Sequence, residues 1–456
     1  MRNALAVTLF LTSTFVLASN PIPLIYQPLS PASVAPGHAA FTLTVRGTNF
    51  VSGAVIKVNG RASVTKFVNP TKLQTQVSAR DVAKAGTASI TVANPGSIDS
   101  NVIYFTARQP STSIALTNDS AAIEGGYLAV GDFTNDHKPD IAVSSRHVDI
   151  YQDTGQGNFN RIAGPKFDQF VSFSPVMVAD FNNDGNLDFA PCGGDGGPDT
   201  SCSIYYGDGK GNLKEGGFGQ RVYPGVMADM NGDGILDSVA TWGDGYQTYM
   251  SIYLGNGDGT FTFASTVATA VYGQPVVGDF NGDGKLDVAT SVEGNTEPGP
   301  GTVAIFLGNG DGTVQNEVDY ATPWGGDYAV LGDVNRDGKL DIINAGLTVL
   351  LGNGDGTFTV GTNLDLHAWG SPVQLADVNG DGKLDLLMSG NNSQNVASLN
   401  ILLGNGDGTF QAPISFAIPP ANFATFGVAD FNGDGLLDFA VSGAYQDVVL
   451  LQIPSI

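Results

Sequence analysis

From residue 112 onward, apolar residues come in short runs parted by Asp, Asn and Gly, and no useful length repeats at the helical period. One unit shows the pattern. Residues 274–279 (QPVVGD) predict a short strand A, 286–292 (LDVATSV) alternate as strand B, and 302–307 (TVAIFL) form a near-continuously apolar strand C. Such a strand C belongs between neighbouring sheets. Asn-Gly-Asp-Gly then reverses the chain, because Asn and Gly supply the positive φ of tight turns, and 314–320 make an outer strand D. Ahead of this region, FTLTVRGTNF, AVIKVNG, KLQTQVSA and ASITVANPG alternate as strands between Gly, Asn and Pro. They predict a small β-sandwich over 21–108, with a linker at 109–111.

The unit recurs. A nonapeptide, best copies DFNGDGKLD and DVNGDGKLD, begins at Asp132, Asp180, Asp229, Asp279, Asp333, Asp377 and Asp430, at spacings of 44 to 54 residues. A second string, LGNGDGTF, begins at Leu254, Leu307 (with Val314 in place of the Phe), Leu351 and Leu403, with degraded copies at Tyr151 and Tyr206. Periods of this size with several strands per unit predict propeller blades. The seventh blade has strands A to C and then the chain stops, so 112–117 (TSIALT) is expected to supply its strand D and close blade 7. The expected fold is all-β: an Ig-like β-sandwich, then a seven-bladed β-propeller over 112–456.

Composition sharpens this. Of 44 acidic residues 39 are Asp and 5 Glu, a bias toward turns and metal ligands rather than helices. The net charge of −24 argues against nucleic acid and anionic membranes as partners. The start, Met1-Arg2-Asn3 with an apolar run to Leu17, reads as an export signal over 1–18, cleaved after Ala18 or Ser19. The run is too short to span a membrane, and no later segment is apolar enough. The expected product is a secreted or cell-surface monomer. Cys192 and Cys202 flank a loop, GGDGGPDTS, between strands, so a disulfide is expected in an oxidising compartment.

In the nonapeptide, oxygen donors fall at positions 1, 3, 5 and 9, and the carbonyl of position 7 adds another. In blade 4 these are Asp279, Asn281, Asp283, Lys285 and Asp287. The other full sets are Asp180, Asn182, Asp184, Asn186 and Asp188; Asp229, Asn231, Asp233, Ile235 and Asp237; and Asp333, Asn335, Asp337, Lys339 and Asp341. Asp377, Asn379, Asp381, Lys383 and Asp385, then Asp430, Asn432, Asp434, Leu436 and Asp438, complete them. The pattern matches the start of an EF-hand loop without its distal Glu, so the Asp at position 9 must close the sphere. Hard oxygen ligands in a flexible loop favour Ca²⁺. Asp, Asn and Gly also make turns without metal, but seven copies gather 21 carboxylates that would repel one another unneutralised. Six to seven Ca²⁺ are expected. Blade 1 keeps Asp132, Asp136 and Asp140 but has Thr134 and His137 at positions 3 and 6, and should be the weakest site. LGNGDGTF is read as a structural turn.

Two resemblances follow. PLSPASVAPG, FTLTVRGTNFVSGAVIKVNG and LQTQVSARDVAKAGTASITVANPG resemble the IPT/TIG immunoglobulin-like domains, and 112–456 resembles the FG-GAP/VCBS repeat proteins, whose blades are similar to those of integrin α-chain propellers. Both imply extracellular adhesion or binding rather than a defined reaction. A–B loops and C–D turns share one propeller face. Trp242, Trp324 and Trp369 fall at connections on the other, where they suit stacking on a glycan or anchoring a protein ligand, or packing between blades. No catalytic residue is assigned. The alternative is a polysaccharide lyase or hydrolase using Asp195, Asp199, Asp244, Glu293, Glu297, Asp327 or Asp365 on that same face.

Overall fold

The computed structural model describes residues 21–124, 126–145, 147–165, 176–193, 201–216, 225–243, 247–270, 273–292, 300–364, 373–391, 396–418, 425–442 and 446–453. The expected export signal lies outside them. Among the described residues there is no helix, and short strands carry the fold.

The first unit is two stacked sheets. One runs in the order Leu24–Ser30, Phe41–Thr48, Lys72–Val77, Thr65–Asn69. The other runs Ser33–Val34, Ile103–Ala107, Gly86–Ala93, Val55–Val58, Arg61–Ala62. The alternating sequence is the cause: in Phe41–Thr48, Leu43 and Val45 are fully buried while Thr42 faces out. With Ile56, Leu73, Ile90 and Phe105 they form a core that contains no propeller residue.

Seven four-stranded antiparallel sheets follow, one per nonapeptide. Blade 4 is built from Val276–Gly278, Asp287–Val292, Gly301–Phe306 and Val318–Thr322 as strands A to D. Strand B does not alternate in burial as LDVATSV suggests. All six residues of Asp287–Val292 are buried, because neighbouring blades cover both faces. Thr290 and Ser291 tolerate this by donating their hydroxyls to the carbonyls of Gly273 and Gly326.

Apolar clusters join each blade to the next around the whole circle. Ile150 and Phe189 join blades 1 and 2, Met177 and Met227 blades 2 and 3, Ile252 and Val288 blades 3 and 4. Ile305 and Ile342 continue to blade 5, Val349 and Leu386 to blade 6, Leu399 and Phe439 to blade 7. Val449 and Ile141 then join blade 7 back to blade 1. The sheets thus form a seven-bladed β-propeller.

The closing strand D of blade 7 is Ala115–Glu124, antiparallel to Gln446–Ile453, with Ala115 opposite Ile453 and Glu124 opposite Gln446. It starts three residues later than the 112–117 segment read from the sequence and runs further. Asn118 and Asp119 end the apolar pattern but not the backbone ladder, which continues through an irregularity between Asp119 and Ile123. In blade 2, Cys192 and Cys202 are disulfide-bonded and face each other across a two-stranded ribbon.

Candidate functional site

Each A–B loop is a chain of side-chain-to-backbone hydrogen bonds. In blade 4, Asp279 accepts the N–H of Gly282 and of Gly284, Asn281 accepts that of Asp283, and Asp283 accepts that of Lys285. Blades 3, 6 and 7 repeat this set. Blade 1 holds the same curl despite its departures. Asp132 accepts the N–H of Asp136 and of His137, and His137 sits at φ 66° with its side chain largely exposed.

Position 9 has a role that spacing alone does not show. In every blade its carboxylate is fully buried and bridges two backbone N–H groups, one at position 2 or 3 of its own loop and one where strand C ends. Asp237 takes Met230 and Gly255, Asp287 takes Phe280 and Gly308, Asp341 takes Val334 and Gly352. Asp385 takes Val378 and Gly404, Asp188 takes Phe181 and Gly207, Asp140 takes Thr134 and Asp153, and Asp438 takes Phe431 and Gln452. This ties LGNGDGTF to the nonapeptide and explains its first Gly: a Cβ on Gly255 would lie 2.3 Å from the Leu236 carbonyl oxygen.

Burial pushes these carboxyls up, against the pull of the N–H donors. Asp140, Asp237 and Asp287 reach about 7, Asp188 and Asp438 about 8, Asp341 about 6, and Asp385 rises well above the usual range. Burial also raises Asp180 at position 1, to about 6. Lysines at position 7 pair with position-5 carboxylates, Lys383 with half-buried Asp381 at 3.2 Å and Lys339 with exposed Asp337 at 3.7 Å.

Among the described residues, no three His, Cys, Asp or Glu side chains are gathered as a formed metal cage. The donors present are nonetheless hard oxygens. A carboxylate oxygen that accepts one amide keeps a second lone pair, and two buried loop oxygens, Asp333 Oδ1 and Thr134 Oγ1, have no hydrogen-bond partner. That donor set fits a calcium ion and no softer metal.

The sandwich sits on these loops. Arg46 Nη2 donates to the Gly338 carbonyl at 2.7 Å and Asn49 Nδ2 to that of Gly234 at 3.1 Å. A Cβ on Gly185 would lie 1.9 Å from Ile98 Cδ1, and one on Gly234 2.3 Å from Pro21 Cβ. Position 6 therefore requires Gly here for space beneath the sandwich as well as for its positive φ.

The C–D turns clamp neighbouring blades. Gly211, Gly312, Gly356, Gly408 and Gly157 donate their N–H to the position-2 carbonyls of Phe133, Met230, Phe280, Val334 and Phe431, each in the preceding blade of the ring. Exposed Asp258, Asp311, Asp355 and Asp407 accept the following Thr and serve the turn. Among the described residues, blade 7 has no such turn. At its seam the Val378 carbonyl accepts Arg108 Nη1 at 2.7 Å and Gln452 Nε2 at 3.2 Å instead.

On the far face, Trp242 is half-buried in blade 3. Its ring stacks on Tyr249 at 4.6 Å and its indole N–H donates to Ser251. Trp324 is half-buried where the chain enters blade 5, near Asp327 and Tyr328. Trp369 lies outside the described residues, as do Asp195, Asp199, Asp244, Glu293, Glu297 and Asp365.

Family models match in both regions. The IPT/TIG domain matches 26–107, and the FG-GAP-like repeat matches 132–190, 229–290, 344–388 and 377–441. No curated protein matches the chain. Among solved structures, an auxiliary nutrient binding protein from Bacteroides ovatus is similar at 11% identity and TM-score 0.38, covering 95% of this chain and 98% of that one. A mutant of AofleA from Arthrobotrys oligospora is similar at 12% identity and TM-score 0.33, covering 88% and 87%. A protein from Bacteroides thetaiotaomicron provisionally called a phosphatase is similar at 12% identity and TM-score 0.31, covering 95% and 98%. Likeness at this level says nothing of what this chain binds. The two family matches do define it: the chain is an FG-GAP-like repeat protein carrying an N-terminal IPT/TIG domain.

Proposed function

We propose that the chain is an exported binding module. Its A–B loops hold structural Ca²⁺, and its propeller takes a glycan or protein ligand on the face away from the sandwich. The observation that carries the choice of face is the seating of the sandwich on the A–B loops, which covers that side of the ring. A partner is left the side where strands A begin, with Trp324, Tyr328 and Asp327. The calcium reading rests on seven sets of hard-oxygen donors, each with its position-9 carboxylate buried, held ready by the loop backbone. A bound cation would lower the cost of ionising them, which burial now raises. In such loops the ion supplies charge compensation and fixes the curl; it takes no part in a reaction.

The ligand face is tested by Trp324→Ala on a glycan array and in pull-downs with the calcium-loaded chain. A stacked aromatic contributes ~1–3 kcal/mol, so binding should fall about ten- to a hundredfold while the melting temperature holds. A collapse of melting temperature with unchanged binding would assign Trp324 to blade packing and move the ligand elsewhere.

A further inference from the structure

The sandwich reaches the loops through more than packing. Thr71 Oγ1 and Asn69 Nδ2 donate to Asp279 Oδ2, at 2.9 and 3.2 Å. Ser33 Oγ donates to Asp377 Oδ2 and Thr87 Oγ1 to Asp430 Oδ2. Three hydroxyls from one domain thus meet the position-1 carboxylates of blades 4, 6 and 7, more than 200 residues away. In each case the same oxygen also accepts the N–H of position 6. A cavity of about 510 Å³ between the sandwich and blades 4 to 6 is lined by Asp279, Asp333, Asp381, Arg46 and Thr71, which gives water and ions a path to the loops.

We infer that the sandwich is a lid on the cation ring: Ser33, Thr71 and Thr87 complete the sites of blades 4, 6 and 7, so that ion loading and sandwich docking reinforce each other. This rests on the calcium reading above. A hydroxyl that donates its proton to a carboxylate stabilises the ionised form and fixes its direction, and its own oxygen keeps the lone pairs an ion would need. Coupling of this kind is reciprocal. If the hydroxyls raise ion affinity, the ions must raise the affinity of the sandwich for the ring. Asp180 of blade 2 and Asp229 of blade 3 take only backbone donors among the hydrogen bonds of the described residues, and should not respond.

The test uses the full chain and Ca²⁺ itself. Calorimetric titration of Ser33→Ala/Thr71→Val/Thr87→Val should show three ions bound about 10- to 100-fold more weakly than in wild type, the usual loss when a hydrogen bond behind a metal ligand is removed. The remaining ions should be unchanged, and Thr42→Val, at an exposed position of the same sandwich, should behave as wild type. Independently, small-angle scattering of the wild type should show a larger radius of gyration in chelator than in Ca²⁺. If the wild type binds Ca²⁺ but the triple variant matches it within twofold, or the radius does not change, the lid is overturned and the calcium reading stands. If the wild type binds no Ca²⁺, the calcium reading falls and the lid with it.

Discussion

At the scale of the residue, the aspartate of position 9 joins the two repeated strings of this chain. The sequence shows that DxNxDGxxD and LGNGDGTF travel together, but not that one holds the other through a buried carboxylate, because the bond spans up to 21 residues. Its periodic spacing was legible; its two amide partners were not. The same residues give a pH prediction. The carboxyls of Asp140, Asp188, Asp237, Asp287, Asp341 and Asp438 titrate near 3.8 unfolded and at about 6 to 8 in the folded, metal-free chain, and burial raises Asp385 in the same direction. Between those limits the folded state holds more protons, so the stabilisation is complete below pH 3.8 and is lost as pH rises through 6 to 8. In chelator the melting temperature should therefore fall from pH 5 to pH 8. Calcium competes with those protons, so its benefit should grow over the same range. At a hundredfold excess over Kd each ion adds about 2.7 kcal/mol. A scanning-fluorimetry grid of pH against calcium decides it. A chelator curve flat from pH 5 to 8 would show that the buried carboxyls do not titrate as their burial implies, and a melting temperature unmoved by calcium at pH 8 would remove calcium from the loops.

At the scale of the element, blade count and ring closure followed from the repeat, since a strand C left at the chain end needs a partner from elsewhere. The limits of that partner were harder to read. Pairing is a backbone property, and Ala115–Glu124 continues where its apolar side chains give out. Strand B misled in the opposite sense: its alternating residues are buried throughout, because adjacent blades cover both faces and hydroxyls find carbonyls. Deleting 115–124 should bare the edge of Gln446–Ile453 and remove Ile123 from the cluster joining blade 7 to blade 1. The expected outcome is a lower melting temperature and concentration-dependent aggregation by light scattering. A truncated chain that stays monomeric and melts like the wild type would show that three strands suffice for blade 7.

At the scale of the whole molecule, both domains could be named from their strands, yet how they meet could not. The side-chain hydrogen bonds that seat the sandwich link residues 185 to 344 positions apart, and no local pattern marks Ser33, Thr71 or Arg108 as partners of the ring. Arg108 is the sharpest case. It ends the sandwich, it is 3% exposed, and its guanidinium takes the place at the seam between blades 6 and 7 that a C–D turn glycine fills elsewhere. The Val378 carbonyl it serves is the position-2 group of the blade 6 A–B loop, and burial pulls the guanidinium below its usual range against the opposing charge of Asp377. Arg108→Ala should leave that buried carbonyl with Gln452 alone, at a cost of about 1–3 kcal/mol, and loosen the sandwich from the ring at the same time. Arg108→Lys keeps the charge but moves the donor away from the site of Nη1, the single nitrogen that donates to both Val378 and Gln452, so it should recover only part of the loss. Denaturant melts would report the first effect, and protease cleavage at the exposed Gln109–Pro110 segment the second. If Arg108→Ala melts like the wild type and resists cleavage equally, the seam is held by Gln452 and the apolar contacts of blades 6 and 7, and the sandwich docks without it.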